Sequence, residues 1–188
     1  IYSTSTKEPV EEKNTVNLAG GELVCGGFSN QTPAGARQND PIYLYLDGGI
    51  FRCHLPGNVF TYKFGGNAEQ IKAIVRSGGF KIDVRDNDVV WNEVKLCSTD
   101  ENGMTDGGLE KFGSGKFTLG ASAEYVGLTK IVGGTFHVAD TPYFSGALEL
   151  RPRTTLSFGG ETLRLKSLKS KSGIVKLAAG QSLELESA

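Results

Sequence analysis

Residues Gly113–Val138, GSGKFTLGASAEYVGLTKIVGGTFHV, decide the reading of this chain. Gly113 and Gly115 precede a short alternating run, Lys116-Phe117-Thr118-Leu119. A small-residue link follows, then Tyr125 with Gly127, a second run from Leu128 to Val132, a Gly133-Gly134 turn and a third run from Thr135 to Val138. Alternating apolar and polar residues are the pattern of strands buried on one face. Glycines at the breaks supply the backbone angles that tight corners need. The stretch predicts short strands joined by glycine turns.

The same unit recurs outward from it. Gly-Gly pairs begin at Gly20, Gly48, Gly78, Gly107, Gly133 and Gly159, at intervals of 28, 30, 29, 26 and 26 residues, with Gly26-Gly27 and Gly65-Gly66 out of phase. Five of the six open an alternating strand: GGELVC, GGIFRC, GGFKIDV, GGTFHV and GGETLRL; Gly107-Gly108 opens the less regular GGLEKF. Apolar-rich runs such as IYLYLD and IKAIVRS precede several of them. A repeat of this length is the mark of a solenoid, in which each unit buries its apolar face against its neighbours. The expected fold is all-β: a right-handed single-stranded parallel β-helix of about six rungs of 26–30 residues. At the usual strand spacing it would stand about 29 Å high.

Residues 1–15 are polar and charged and are expected to form an N-terminal arm or cap, with residues 16–188 as one β-helix domain. Leu23 and Cys25, Phe51 and Cys53, Phe80 and Ile82, Phe136 and Val138, and Leu163 and Leu165 are the expected inward pairs. Asn67–Arg76 has a helix-like cap, but a turn followed by a strand from Ile71 to Val75 is the preferred reading. The C-terminal QSLELESA reads as an uncapped strand, an exposed edge expected to be covered by further repeats or by another copy.

The stretch 113–138 also resembles the autotransporter-associated β-strand repeat. Gly113, Gly115, Leu119, Gly120, Tyr125, Gly127, Thr129, Ile131, Gly134, Thr135 and Val138 fall on that pattern, over about 26 of 188 residues. The resemblance implies a β-helical passenger, secreted or outer-membrane-associated, with a β-barrel elsewhere. The three cysteines depart from a family whose passengers are usually cysteine-poor.

The net charge of −1 argues against a dedicated nucleic-acid binder, and no apolar run is long enough to span a membrane. A first residue of Ile is expected of a processed chain or of a piece of a longer one. Without a C-x-x-C motif, and with two histidines distant in sequence, no metal or cofactor is expected. Cys25 and Cys53 each lie five residues after the first glycine of successive pairs. They are expected to stack as neighbouring buried thiols, within disulfide reach but not obliged to form one, with Cys97 far from both.

Candidate chemistry is sparse. Asp83, Asp86, Asp88 and Glu93 form the densest acidic group, which would serve a carbohydrate-active enzyme on the same fold, but a solvated turn is the simpler reading. His54 and His137 follow inward positions and should face solvent. Arg164, Lys166, Lys169 and Lys171 form the basic cluster, able to meet an anionic polysaccharide or lipid headgroup. Trp91 heads the aromatics that could stack on sugar rings. The expected function is a non-catalytic adhesive or structural stalk, secreted or at the cell surface. A polysaccharide or cell-surface protein is its expected partner, and end-to-end self-association is open to it. The alternative is a polysaccharide lyase or glycosidase.

Overall fold

The computed structural model describes residues 14–30, 42–62, 71–98, 106–140, 143–144 and 146–186. Most of the expected arm (1–13) and the helix-like cap at Asn67 lie outside these residues; Asn14 and Thr15, read as the end of the arm, belong instead to a paired strand. Among the described residues the chain is all-β, and no helix is long and apolar enough to cross a membrane. All strand pairings are parallel, and they build three long sheets. This is consistent with a parallel β-helix or solenoid. Parallel partners cannot be joined by a tight hairpin, so each chain passage must travel round before it returns.

The first sheet stacks Asn14–Leu18, Ile42–Leu46, Ile71–Val75 and Leu96–Ser98. The second is the longest, with seven strands from Glu22–Cys25 through Ile50–Cys53, Phe80–Asp83, Leu109–Phe112, Thr129–Ile131 and Ala147–Leu150 to Ser167–Ser170. The third runs from Gly57–Asn58 through Val89–Asn92, Lys116–Gly120, Thr135–Val138 and Thr155–Phe158 to Ile174–Val175. From Ile42 to Gly120 the chain visits first, second and third sheet in turn; beyond Gly120 its strands in these sheets alternate between second and third, with an isolated bridge from Ala123 to Leu96 of the first. Two smaller pairs, Phe28–Asn30 with Phe60–Tyr62 and Thr162–Leu165 with Ser182–Leu185, complete the described strands. The strand preferred at Ile71–Val75 is present.

The period differs from the expected 26–30 residues in the second half. In the second sheet Leu23 faces Phe51, Phe51 faces Ile82 and Ile82 faces Lys111, steps of 28, 31 and 29. Lys111 then faces Ile131, Ile131 faces Leu150 and Leu150 faces Ser170, steps of 20, 19 and 20. Strands of three to five residues joined by tight corners need only about 20 residues per turn; the earlier turns add an excursion to that minimum. The six Gly-Gly pairs are therefore not one series. Those at Gly20, Gly48, Gly78 and Gly107 occupy the corner between first and second sheets, whereas Gly133-Gly134 lies at the next corner, over Gly113 and Gly115. Gly159-Gly160 follows the third sheet. The successor of Gly108 in its stack is Gly127, where a Cβ would strike the Gly108 amide.

Several residues of 113–138 have a clear physical role. The stretch is one full turn plus one strand, since Phe117 faces Phe136 and Leu119 faces Val138 in the third sheet. Those four side chains are buried, and the two phenyl rings stack at 6.1 Å. Tyr125 is buried with its hydroxyl 2.7 Å from Thr129 Oγ1. Gly134 has φ +65°, and a Cβ there would sit 2.6 Å from Lys111 Nζ. Only glycine fits a backbone both left-handed and crowded.

Inward side chains form one apolar core. Of the expected pairs, Phe51, Cys53, Phe80, Ile82, Phe136, Val138, Leu163 and Leu165 are buried, while Leu23 and Cys25 are half-buried against that core. Each large side chain so buried contributes roughly 1.5–3 kcal/mol. The outer face of the second sheet carries the column Glu22, Ile50, Lys81, Glu110, Lys130, Glu149, Lys169. From Lys81 onward its charges alternate, and Lys130 Nζ lies 2.7 Å from Glu110 Oε1. Opposite charges on facing strands favour this register. Ser182–Leu185 pairs with Thr162–Leu165, and among the described residues no strand covers its other edge; Leu185 is 54% exposed.

Candidate functional site

The acidic group is split by the fold. Asp83 points outward from the second sheet, where its Oδ2 accepts from Arg52 Nε at 2.9 Å and its Oδ1 accepts from the Arg85 amide at 2.9 Å. Arg52 also meets Glu22 at 2.6 Å. Asp86 and Asp88 are exposed in the following corner. Asp88 Oδ1 accepts from the Lys116 amide at 3.2 Å, one turn on. Glu93 stands at the far end of the strand Val89–Asn92, with φ +63°. Five residues of extended chain between Asp88 and Glu93 span about 16 Å. A glycosidase pair stands at most about 9.5 Å apart. Asp83 and Asp88 hold neighbouring strand and corner residues, and among the described residues no group of three or more His, Cys, Asp or Glu could hold a metal ion.

Trp91 corrects the sequence reading. It is fully buried, donates from Nε1 to the Val94 carbonyl at 2.7 Å, and packs edge-on to Phe60 at 4.8 Å and tilted on Phe80 at 4.9 Å. It fills the core and offers no platform to a sugar. Phe60 and Phe144 are buried as well. The half-buried Tyr43 and Tyr45 stack outside the first sheet, with the Arg76 guanidinium 3.6 Å from the Tyr45 ring centre. Arg164, Lys166 and Lys169 are exposed as expected, with Arg164 Nε 2.8 Å from Glu184.

His54 is exposed, and His137 is half-buried with Nδ1 2.9 Å from Ser157 Oγ. Burial, helped by the nearby Lys116 ammonium, lowers the His137 pKa, so the imidazole is neutral at pH 7. This serine–histidine contact joins two turns of the third sheet's outer face. Neither residue lines the open hollow of about 300 Å³ bounded by Asp140, Tyr143, Phe144, Phe158, Arg164 and Glu186 among others.

Two buried charged residues escaped the sequence reading. Lys111 is fully buried in the inward column between Ile82 and Ile131. Its ammonium donates to the carbonyls of Gly113 at 2.8 Å, Gly115 at 2.6 Å and Gly133 at 2.6 Å, tying two successive corners together. Burial lowers its pKa to about 8, partly opposed by Asp83. Asp106 is buried at the corner between first and second sheets. Its Oδ1 accepts from the amides of Gly108 at 3.0 Å and Gly127 at 2.7 Å, and its Oδ2 from Val126 at 2.7 Å. The alternation Leu109, Lys111 in and Glu110 out was the available signal for Lys111.

Cys25 and Cys53 face each other in register, as their spacing implied, and Cys97 lies on a strand of the first sheet. Burial raises all three thiol pKa values, Cys53 to about 12 with Cys25 and Asp83 adding to the shift. In comparisons with known proteins, no family model, curated protein or solved structure matches this chain.

Proposed function

We propose that this chain is a right-handed single-stranded parallel β-helix acting as a non-catalytic adhesive or structural stalk, secreted or displayed at the cell surface. The right hand is the one that crossovers between parallel strands nearly always take. The observation that carries the reading is continuity. One apolar core threads the stacked turns, and the outer column from Lys81 to Lys169 alternates in charge from turn to turn. That construction gives a stiff rod whose inside is filled by side chains and whose length grows by repetition. The likeness of 113–138 to the autotransporter-associated repeat supports export, with a polysaccharide or a cell-surface protein as the partner met outside.

The test is to incubate the chain with a panel of neutral and anionic polysaccharides, measuring retention together with new reducing or unsaturated ends. Retention without cleavage is expected. Cleavage by the purified chain, lost on mutating a carboxylate, overturns the proposal in favour of an enzyme.

A further inference from the structure

We propose that Cys25 and Cys53 form a two-coordinate site for a soft monovalent d10 metal ion of the copper(I) class. The two residues are register partners on adjacent parallel strands, both on the inward side. Side chains so placed stand one strand spacing apart, about 4.8 Å, and point the same way. A disulfide needs its Cβ atoms at about 3.8 Å, so the strands would have to pinch together to close one. Two metal–sulfur bonds of roughly 2.3 Å set end to end span about 4.6 Å, which the existing spacing accommodates without movement.

The surroundings select the ion. Thiolate sulfur prefers copper(I), whereas zinc in a structural site demands four ligands. Among the described residues no third His, Cys, Asp or Glu completes such a set. Access is built in as well. Cys53 is 2% exposed, but Cys25 is only half-buried and the adjoining His54 and Leu55 are exposed, so the ion enters past Cys25. The His54 amide donates to the Cys25 carbonyl at 2.9 Å, which locks the register next to the pair. On binding, each thiol releases its proton to water and each sulfur donates a pair to the metal. The product is a bis-thiolate complex of charge −1 with two protons set free, and no oxidation state changes. Cys97 serves as the internal control, a half-buried thiol on another sheet whose charged neighbours are Lys95, Glu124 and Lys72.

The experiment titrates copper(I), held by bicinchoninate, into the reduced chain without oxygen, using wild type, Cys25→Ser, Cys53→Ala and Cys97→Ser. Wild type and Cys97→Ser should each withdraw one copper(I) per chain from the chelator. Removing even an outer-shell partner of a metal ligand costs roughly 10–100-fold, so losing either ligand should weaken binding at least about 100-fold. Circular dichroism of the variants checks that the fold survives, and Cys25→Ser, at the half-exposed position, carries the test if Cys53→Ala unfolds. No withdrawal of copper(I) by wild type, or full affinity in Cys25→Ser, overturns the proposal. Neither result bears on the stalk reading, which rests on other residues.

Discussion

Replacing Gly127 by Ala tests the corner stack at a point where crowding acts without a left-handed backbone. Gly127 rests against Gly108 of the preceding turn, and a Cβ would collide with the Gly108 amide and stand 2.6 Å from Asp106 Oδ1. The obstacle is backbone on one side and a buried, hydrogen-bonded carboxylate on the other, so neither can swing away. Overpacking of this kind costs about 1–3 kcal/mol. Pushing the loop outward also stretches the bonds from Val126 and Gly127 to Asp106, both 2.7 Å. Losing one hydrogen bond to a charged group costs a further 1.5–3 kcal/mol or so, for a total of about 3–6 kcal/mol. Gly21→Ala is the control, since Gly21 has φ +66° but a Cβ there would meet nothing within 4 Å, leaving only about 1–2 kcal/mol of backbone strain. With a urea dependence of roughly 2 kcal/mol per molar, Gly127→Ala should lower the unfolding midpoint by about 1.5–3 M and Gly21→Ala by less than about 1 M. Equal shifts for the two variants would refute the stack.

Lys111 has a folded pKa of about 8, below its ordinary 10.5, so between those values the unfolded chain binds one more proton there than the folded chain. Stability contributed by this residue should therefore rise across that window, by up to about 3 kcal/mol, and the difference between wild type and Lys111→Met isolates it from the thiols and Tyr125. A flat difference from pH 8 to 10.5 would contradict the burial of the amine. Trp91 fluorescence should be blue-shifted and shielded from iodide, and Trp91→Ala should cost about 3–5 kcal/mol; quenching like that of free tryptophan would place the ring outside. In hydrogen exchange, amides of Ser182–Leu185 should exchange faster than those of Ile50–Cys53 and Phe80–Asp83, which are paired on both sides. Equal protection would mean that the last described strand is covered.

Alternation made the strands legible: Ile71–Val75 and the register of Cys25 with Cys53 could both be read from residues alone. Alternation reports which side of a strand is buried, but not which sheet the strand joins. Gly-Gly marks any corner, so the 26-residue interval from Gly107 to Gly133 joined two different corners. A full turn leads instead to the single glycine at 127. Buried charge was harder still. Lys111 made GGLEKF look irregular because a lysine occupied an inward position, and its compensation is three carbonyls, two of them on its own corner and one from the next turn. Trp91 was misplaced for a related reason: an aromatic in an alternating strand gives no sign of whether its corner is closed above it.

The chain climbs one strand spacing per turn, and distances between paired nitroxides measure that climb. With one label fixed at Lys169 and the other moved from Glu22 to Ile50 to Lys81, the pairs are separated by six, five and four strand spacings in the second sheet. Backbone separations of about 29, 24 and 19 Å are expected, falling by about 5 Å at each step. Labels carried on unnatural amino acids leave the native thiols in place. Distances that do not fall in that order, or that exceed about 40 Å for the outermost pair against the six spacings expected, would contradict the fold from which every other statement about this chain follows.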